Sequence, residues 1–381
     1  MTTASIEHLK ELFLLNPEVA FFNHGSFGAC PQSVFEAYQR WQRQLEWQPV
    51  DFLGRNRVQM LDEALSVLAD YLNTSVDTLV FVTNATVGIN IVARSLQLQP
   101  GDEILTGNHE YGAVNKTWEF TCQKTGAKRV EHHIPLPVTS YDEFVEQFWA
   151  SVTPRTKVIS LSHITSPTAL ILPIKEICRR ARAAGIITVI DGAHAPGQIG
   201  VDLTDIGADF YSGNCHKWLS APKGSGFLYA RHELHDIIEP VIISHGWVPE
   251  STFKSRSEWQ GTRDISPFLT VPEAIKFQAD HDWDMVRAHC HALALNISER
   301  VTALTELDPI ATNLDVWFAQ MISIPLPAGR LGELSERLYH DYNVVIAGGA
   351  IDEQNFMRIS VQGYNTQDDC DRLVNALAEI L

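Results

Sequence analysis

The sequence predicts an α/β fold in two parts, a large unit built on a mainly parallel sheet and a smaller α+β unit after it. Three observations carry this expectation. Between about residues 75 and 230, short apolar runs alternate with helical patterns. The chain of 381 residues is long enough for two domains of ordinary size. Beyond about residue 272 the rhythm changes to one long helical region followed by mixed strands and helices.

In order along the chain, strands are expected at 79–82 (LVFV), 103–106 (EILT), 157–161 (KVISL), 186–190 (IITVI), 209–212 (DFYS) and 226–230 (GFLYA). Helices are expected at 86–98, 112–125, 141–150 and 173–184. Strand–helix alternation of this kind gives a sheet covered on both faces, and such sheets bind ligands beyond the carboxyl ends of their strands. The tail predicts a helical region over 273–305, a strand at 315–325, a helix at 330–341, strands at 343–347 and 356–361, and a helix at 366–380. The expected division is 20–270 for the large domain and 271–381 for the small one, with residues 1–19 packing on the latter.

Composition excludes several classes. The net charge is −17, from 29 Lys+Arg against 46 Asp+Glu, and no basic run occurs, which disfavours nucleic acid and anionic membranes as partners. Six dispersed cysteines without a CxxC pair read as reduced thiols in a cytoplasmic protein. The amino terminus, MTTASIEHLKELFLL, carries charges inside its apolar stretch, so it does not read as a signal peptide, and no apolar run approaches the ~20 residues of a membrane span. GxGxxG after a strand, GxxxxGK[ST] and GxSxG are absent. His132–His133 and the pair His289/His291 lack HExxH or CxxC partners, so no metal site is expected.

The chemistry concentrates in two segments. IITVIDGAHAPGQ places Asp191 at the end of an apolar strand, and FYSGNCHKWLSAPKGSGFLYA places Lys217 just past the next strand. A carboxylate and an amine at neighbouring strand ends suit a pyridine aldehyde cofactor. The carboxylate keeps the ring nitrogen protonated, the amine forms an imine with the aldehyde, and the ring draws electrons from a substrate Cα. Taken singly, Asp191 reads as a turn cap and Lys217 as a solvated surface residue; their combination is what points to chemistry.

These two segments resemble the class V aminotransferase family of fold-type I pyridoxal 5′-phosphate (PLP) enzymes, and within it the isopenicillin N epimerase-like subgroup. NHGSFG (23–28), TNAT (83–86), NHEYGAV (108–114), SHITSPTA (162–169) and WQGTRD (259–264) agree with it, so the resemblance covers nearly the whole chain. It implies a mainly parallel seven-stranded-type sheet and a catalytic group of Lys217, Asp191 and His194. Lys217 would form the Schiff base and move the proton, Asp191 would pair with the pyridinium, and His194 would meet the ring oxygen. It further implies that Ala85, Thr86, Asn214 and His216 hold the phosphate, with Ser212 in reserve for Asn214. Thr262 would reach the phosphate of the neighbouring subunit in a homodimer.

Tyr111 stands at the family's ring-stacking position, with His109 as competitor. Arg358 would take the α-carboxylate of an amino-acid substrate, and Asn23 and His24 would line the substrate side. If Arg358 were not the binder, Arg55, Arg57 and Arg263 would be next. The stretch VVIAGGAIDEQNFMR lacks the cysteine that desulfurases carry before that arginine, and neither Cys290 nor Cys370 replaces it. Ser166–Pro167 stands where lyase-branch relatives carry Asn, leaving Thr168 as a candidate for the ring oxygen. The expected activity is epimerase-like. Aminotransferase and cysteine or cystine C–S lyase are alternatives, and a PLP-binding protein without turnover is the non-enzymatic one.

Overall fold

A computed structural model describes residues 8–329 and 331–381. Its centre is a seven-stranded sheet with the spatial order 79–82, 226–230, 210–214, 187–192, 156–162, 103–107, 128–132. Gly226–Ala230 runs antiparallel to both its neighbours, and the remaining pairs are parallel. The strands expected in this sheet are present within a residue or two at their ends. The strand Lys128–His132 was not expected. It lies at the sheet edge, and its charged sequence KRVEH is only half-buried, so it has no apolar run to betray it.

Two helices of fifteen or more residues also lie outside the expected set, Gln32–Trp47 and Arg57–Tyr71. The long region after residue 272 is two helices, Val271–Asp280 and Trp283–Thr305, separated where Asp282 adopts a left-handed φ of 48°. The strand expected at 315–325 divides into a short helix, Leu314–Trp317, and the strand Met321–Leu326. The strand expected at 343–347 also divides. Val344–Val345 pairs in parallel with Ala20–Phe21, while Ala347–Ile351 joins a three-stranded antiparallel sheet of order 347–351, 354–360, 321–326. The helix there runs Leu331–Tyr342; Arg330 lies outside the described residues. So do residues 1–7 of the segment expected to pack on the small domain; within the remainder, Lys10 bonds Asp369 at 3.1 Å.

What aims the large sheet at a ligand is the helix Ala85–Ser95, which follows the first strand. Asn84 caps it, its side chain accepting from the Val87 N–H at 3.0 Å. Gly88 lets the helix lie flat on the sheet, because a Cβ there would sit 2.0 Å from Ser212 Oγ. Replacing Gly88 with Ala should therefore push the helix start off the sheet and destabilise the fold by about 1–3 kcal/mol, the usual cost of overpacking. Gly200, whose Cβ would meet nothing within 4 Å, is the control. Thermal unfolding of the two variants should show a lowered Tm for Gly88→Ala only.

Candidate active site

Asp191 lies at the end of the strand Ile187–Gly192 and is buried. Its carboxylate accepts the Ala193 N–H at 2.9 Å. Burial raises its pKa, while that N–H and the nearby Lys217 act in the opposite direction. Lys217 sits in the turn between the strands Phe210–Asn214 and Gly226–Ala230. The turn is held from several sides. The Lys217 carbonyl accepts the Ser220 N–H at 2.9 Å and the His24 Nε2–H at 2.9 Å. Gly28, at φ 72°, abuts the preceding peptide so closely that a Cβ would lie 1.8 Å from the His216 oxygen.

The Lys217 amine is pushed down to about 8, by burial first, with Arg358 adding to the effect and Asp191 opposing it. The side chain is partly exposed, but towards confined chambers, so desolvation still governs its charge. Its Nζ lies 3.2 Å from His194 Nε2. The Trp218 indole donates to His194 Nδ1 at 3.3 Å, which fixes Nδ1 as the acceptor and puts the imidazole proton on Nε2. Burial, together with Lys217 and Arg358, holds His194 neutral, far below the usual histidine range.

Two chambers meet at this point. The inner one, about 300 Å³, is lined by Thr86, Asp191, Asn214 and His216. The outer one, about 500 Å³, is lined by Glu110, Arg358 and the strand Ala347–Ile351. Ser26, Tyr111, Ser166, His194 and Lys217 border both.

At the inner end, the Ala85 N–H, expected to face a phosphate, instead donates to Asn214 Oδ1 at 2.8 Å. Asn214 keeps its amide hydrogens, and in the first turn the N–H groups of residues 87 and 88 are also taken. The Thr86 N–H and hydroxyl remain at the amino end of the helix, where an anion is favoured. The reserve, Ser212, is committed to the Phe227 carbonyl at 3.0 Å under Gly88. His216 donates from Nδ1 to the Ser225 carbonyl at 2.9 Å and is lowered to about 4, mainly by burial. It therefore presents an Nε2 lone pair, and a phosphate there would draw a proton onto it.

In the outer chamber, Arg358 is buried, and among the described residues it has no carboxylate within ion-pair distance. Nη1 donates to the Ser166 carbonyl at 2.6 Å and Nη2 to Ser26 Oγ at 3.0 Å, while Nε has no partner. Burial brings it down to about 10. A buried guanidinium without a counterion is costly unless an anion joins it. Glu110 is also buried; it accepts from Ser162 Oγ at 2.6 Å, and burial lifts it to about 8.

Several expected positions fall elsewhere. His24 and Asn23 border neither chamber. His24 is fully buried, with Tyr364 donating to its Nδ1 at 3.1 Å, so it clamps the Lys217 backbone instead of facing substrate. Asn23 accepts from Ser26 Oγ at 2.6 Å, and it is Ser26 that reaches the chambers. Of the competing aromatics, Tyr111 borders both chambers, while His109 is buried against Thr168 at 3.0 Å. Thr168 is buried in that pair and in a 2.8 Å bond with Thr165, away from either chamber. Thr262 is exposed and borders neither chamber of its own chain. Ser26 has no role in the sequence reading, and its place within NHGSFG is the one signal for it; Ser166 is named there only as standing where lyase-branch relatives carry Asn.

The family model Aminotransferase class-V matches residues 25–373. This chain belongs to that family. It is 34% identical over its whole length to the full-length isopenicillin N epimerase of Amycolatopsis lactamdurans. It is 30% identical to a probable chloroplastic L-cysteine desulfhydrase of Arabidopsis thaliana, over 95% of this chain and 83% of that one. In fold it matches the apo cysteine desulfurase of Thermococcus onnurineus NA1 with a TM-score of 0.83 at 21% identity, covering 98% of this chain and 97% of that one.

The donor set fits a phosphorylated pyridine aldehyde. An amine and a carboxylate share the inner chamber with free donors at a helix start, and an unneutralised guanidinium waits next door. Because only the unprotonated amine attacks an aldehyde, the cofactor-free chain should capture the aldehyde faster as pH rises through about 8, then reach a plateau. Asp191→Asn removes an interaction that raises the amine's pKa, so the midpoint should move to lower pH. Stopped-flow absorbance against pH measures both; a midpoint that stays fixed in Asp191→Asn would show that the two groups do not interact.

Proposed function

We propose that this chain is a pyridoxal 5′-phosphate enzyme acting at Cα of an amino acid, in the manner of isopenicillin N epimerase. The carrying observation is that Lys217 and Asp191 share one chamber while Arg358 lies buried without a counterion in the adjoining one. Full-length identity of 34–35% to two isopenicillin N epimerases supports the reading. When bound, PLP supplies an aldehyde for the amine and a protonated ring that withdraws electrons from the substrate.

In this reading Lys217 would hold the cofactor through its amine and would carry the proton to or from the substrate Cα. Asp191 holds the proton on the ring nitrogen. His194, its proton fixed on Nε2, donates to the ring oxygen. Tyr111 covers a ring face, and Thr86, Asn214 and His216 hold the phosphate. Arg358 takes the substrate carboxylate as a planar fork, which sets the Cα–H bond at a defined angle to the ring. Thr262, exposed on its own chain, meets the phosphate of a second copy, so the working unit is a homodimer. The division into 20–270 and 271–381, and a cytoplasmic location suggested by six unpaired cysteines, complete the proposal.

Cysteine desulfhydrase relatives at 29–35% identity favour a second reading, loss of a sulfur substituent from Cβ. Among the described residues no cysteine borders either chamber, so nothing there is placed to accept that sulfur as a persulfide.

Borohydride should fix a pyridoxyl group on Lys217, read by peptide mass spectrometry, and label elsewhere would refute the assignment. An amino-acid panel scored together for chirality, keto acid and sulfide separates epimerase, aminotransferase and lyase. Arg358→Ala should reduce kcat/KM by roughly 10²-fold or more, on the several kcal/mol typical of a lost buried charge-assisted contact, with the resting spectrum nearly unchanged. Arg358→Lys should recover only part, because an ammonium lacks the fork.

A further inference from the structure

Glu110 is a buried acid at the site to which the catalytic reading gives no work. It stands between the strand Glu103–Gly107 and the helix Gly112–Thr125. Its Oε2 accepts from Ser162 Oγ at 2.6 Å. Its Oε1 has no hydrogen-bond partner. The place a Cβ on Gly107 would take lies 3.2 Å from that Oε1, 3.2 Å from Ile134 Cδ1 and 3.6 Å from Leu161 Cδ2, so the bare oxygen is packed beside two methyl groups. A carboxylate with one oxygen in such a place is costly, and a neutral acid is far less so.

The sheet sets this acid behind Asp191. The strands 103–107, 156–162 and 187–192 are neighbours in it, and Ser162 pairs with Asp191 across the last two. Glu110, Ser162 and Asp191 therefore form a row along three adjoining strand ends, and Ser162 and Asp191 border the inner chamber. Two carboxyls that feel each other share one proton at neutral pH, and it stays on the one whose anion has fewer partners. The Ala193 N–H and Lys217 favour the Asp191 anion. Glu110 has the Ser162 hydroxyl and nearby backbone N–H groups, which burial and Asp191 outweigh, and it is raised to about 8. The other titratable groups around the row keep their charge in that range. On the Glu110 segment His109, on which His133 also acts, is lowered to about 4, chiefly by burial. Past Ser162, His163 is lowered to about 4 by burial, and its Nδ1 lies 2.9 Å from the hydroxyl of Tyr211, which burial and Asp191 raise far above its usual range. Across the chambers stand Lys217 and Arg358.

We propose that Glu110 is a positioning residue that acts on the cofactor's ring nitrogen through Asp191. As a neutral acid it leaves Asp191 the single anion facing that nitrogen. When its proton leaves to solvent it adds a second negative charge behind Asp191, and the ring proton is held more tightly. The proposal rests on the reading of Asp191 given above.

The test uses the PLP-loaded protein with its ring nitrogen labelled as nitrogen-15, and follows the NMR shift of that nucleus from mildly acid to mildly alkaline pH. Reading the ring nitrogen alone keeps titration at Lys217 out of the signal. In the wild type the shift should move in one step towards a more fully protonated ring. The step should fall at or somewhat below about 8, because the positive ring favours the Glu110 anion. Glu110→Gln, which keeps the shape and cannot ionise, should remove the step and hold the shift at its low-pH wild-type value, with the borohydride label still on Lys217. Glu110→Asp, a carboxyl again, should restore a step. Ser162→Ala removes the hydroxyl that favours the Glu110 anion, so its step should move up by about one pH unit or more, and it serves if Glu110→Gln misfolds. A step that survives unchanged in Glu110→Gln, or a wild-type ring that is protonated with a flat shift, overturns the proposal and leaves the Asp191 reading standing. A ring nitrogen that is unprotonated throughout overturns both.

Discussion

The site depends on keeping one amine out of bulk water. A surface lysine is an ammonium at neutral pH and neither forms an imine readily nor accepts a proton. Lys217 is brought down to about 8 because protein surrounds its stem and confined chambers surround its tip. Burial alone would leave it mobile. Gly28 and His24 fix its backbone, and the Trp218–His194 pair sets the group its nitrogen faces. Asp191 limits the shift, so the amine stays poised near neutrality instead of being stripped of its proton outright.

Many of these restraints come from the far end of the chain. Tyr364 orients His24, which orients Lys217. The Gln198 side chain donates to the His194 carbonyl and accepts from the Met321 N–H. Arg358 reaches across to Ser166, and Ser323 to the Pro167 carbonyl. The C-terminal strands thus complete the site as well as covering it. Any movement between the two parts of the fold would alter the position of the guanidinium, the orientation of His24 and the width of the outer chamber together.

The polar groups of the site are matched by sign. Histidines 24, 194 and 216 are all held neutral by burial, so they do not compete with Lys217 and Arg358 for positive charge. Glu110, raised to about 8 by burial and in part by Asp191, stays protonated at neutral pH and adds no second negative charge beside Asp191. A site arranged this way has spare positive charge at Arg358, where a carboxylate would sit, and free N–H and hydroxyl donors at the helix start of Thr86, where a phosphate would sit.

The parallel sheet, the Asp191 and Lys217 pair and the family were legible in sequence because each has a short-range signature: apolar runs of strand length, polar residues at their ends, and motifs such as DGAHAPGQ and NCHKW. The edge strand Lys128–His132 had none, since an edge needs no apolar run. Asn23 and His24 are expected from sequence to face substrate, but the partners of His24 lie more than 150 residues away in the chain, and only the folded arrangement shows that His24 grips a backbone carbonyl while Ser26 takes the chamber wall. The same holds for Ala85, whose N–H is claimed by Asn214 across two strands. Sequence determined which chemistry is present, because that is a property of residue types at fixed local spacing. Tertiary structure decided which groups remain free to use it, because hydrogen-bond capacity is finite and its partners come from distant parts of the chain.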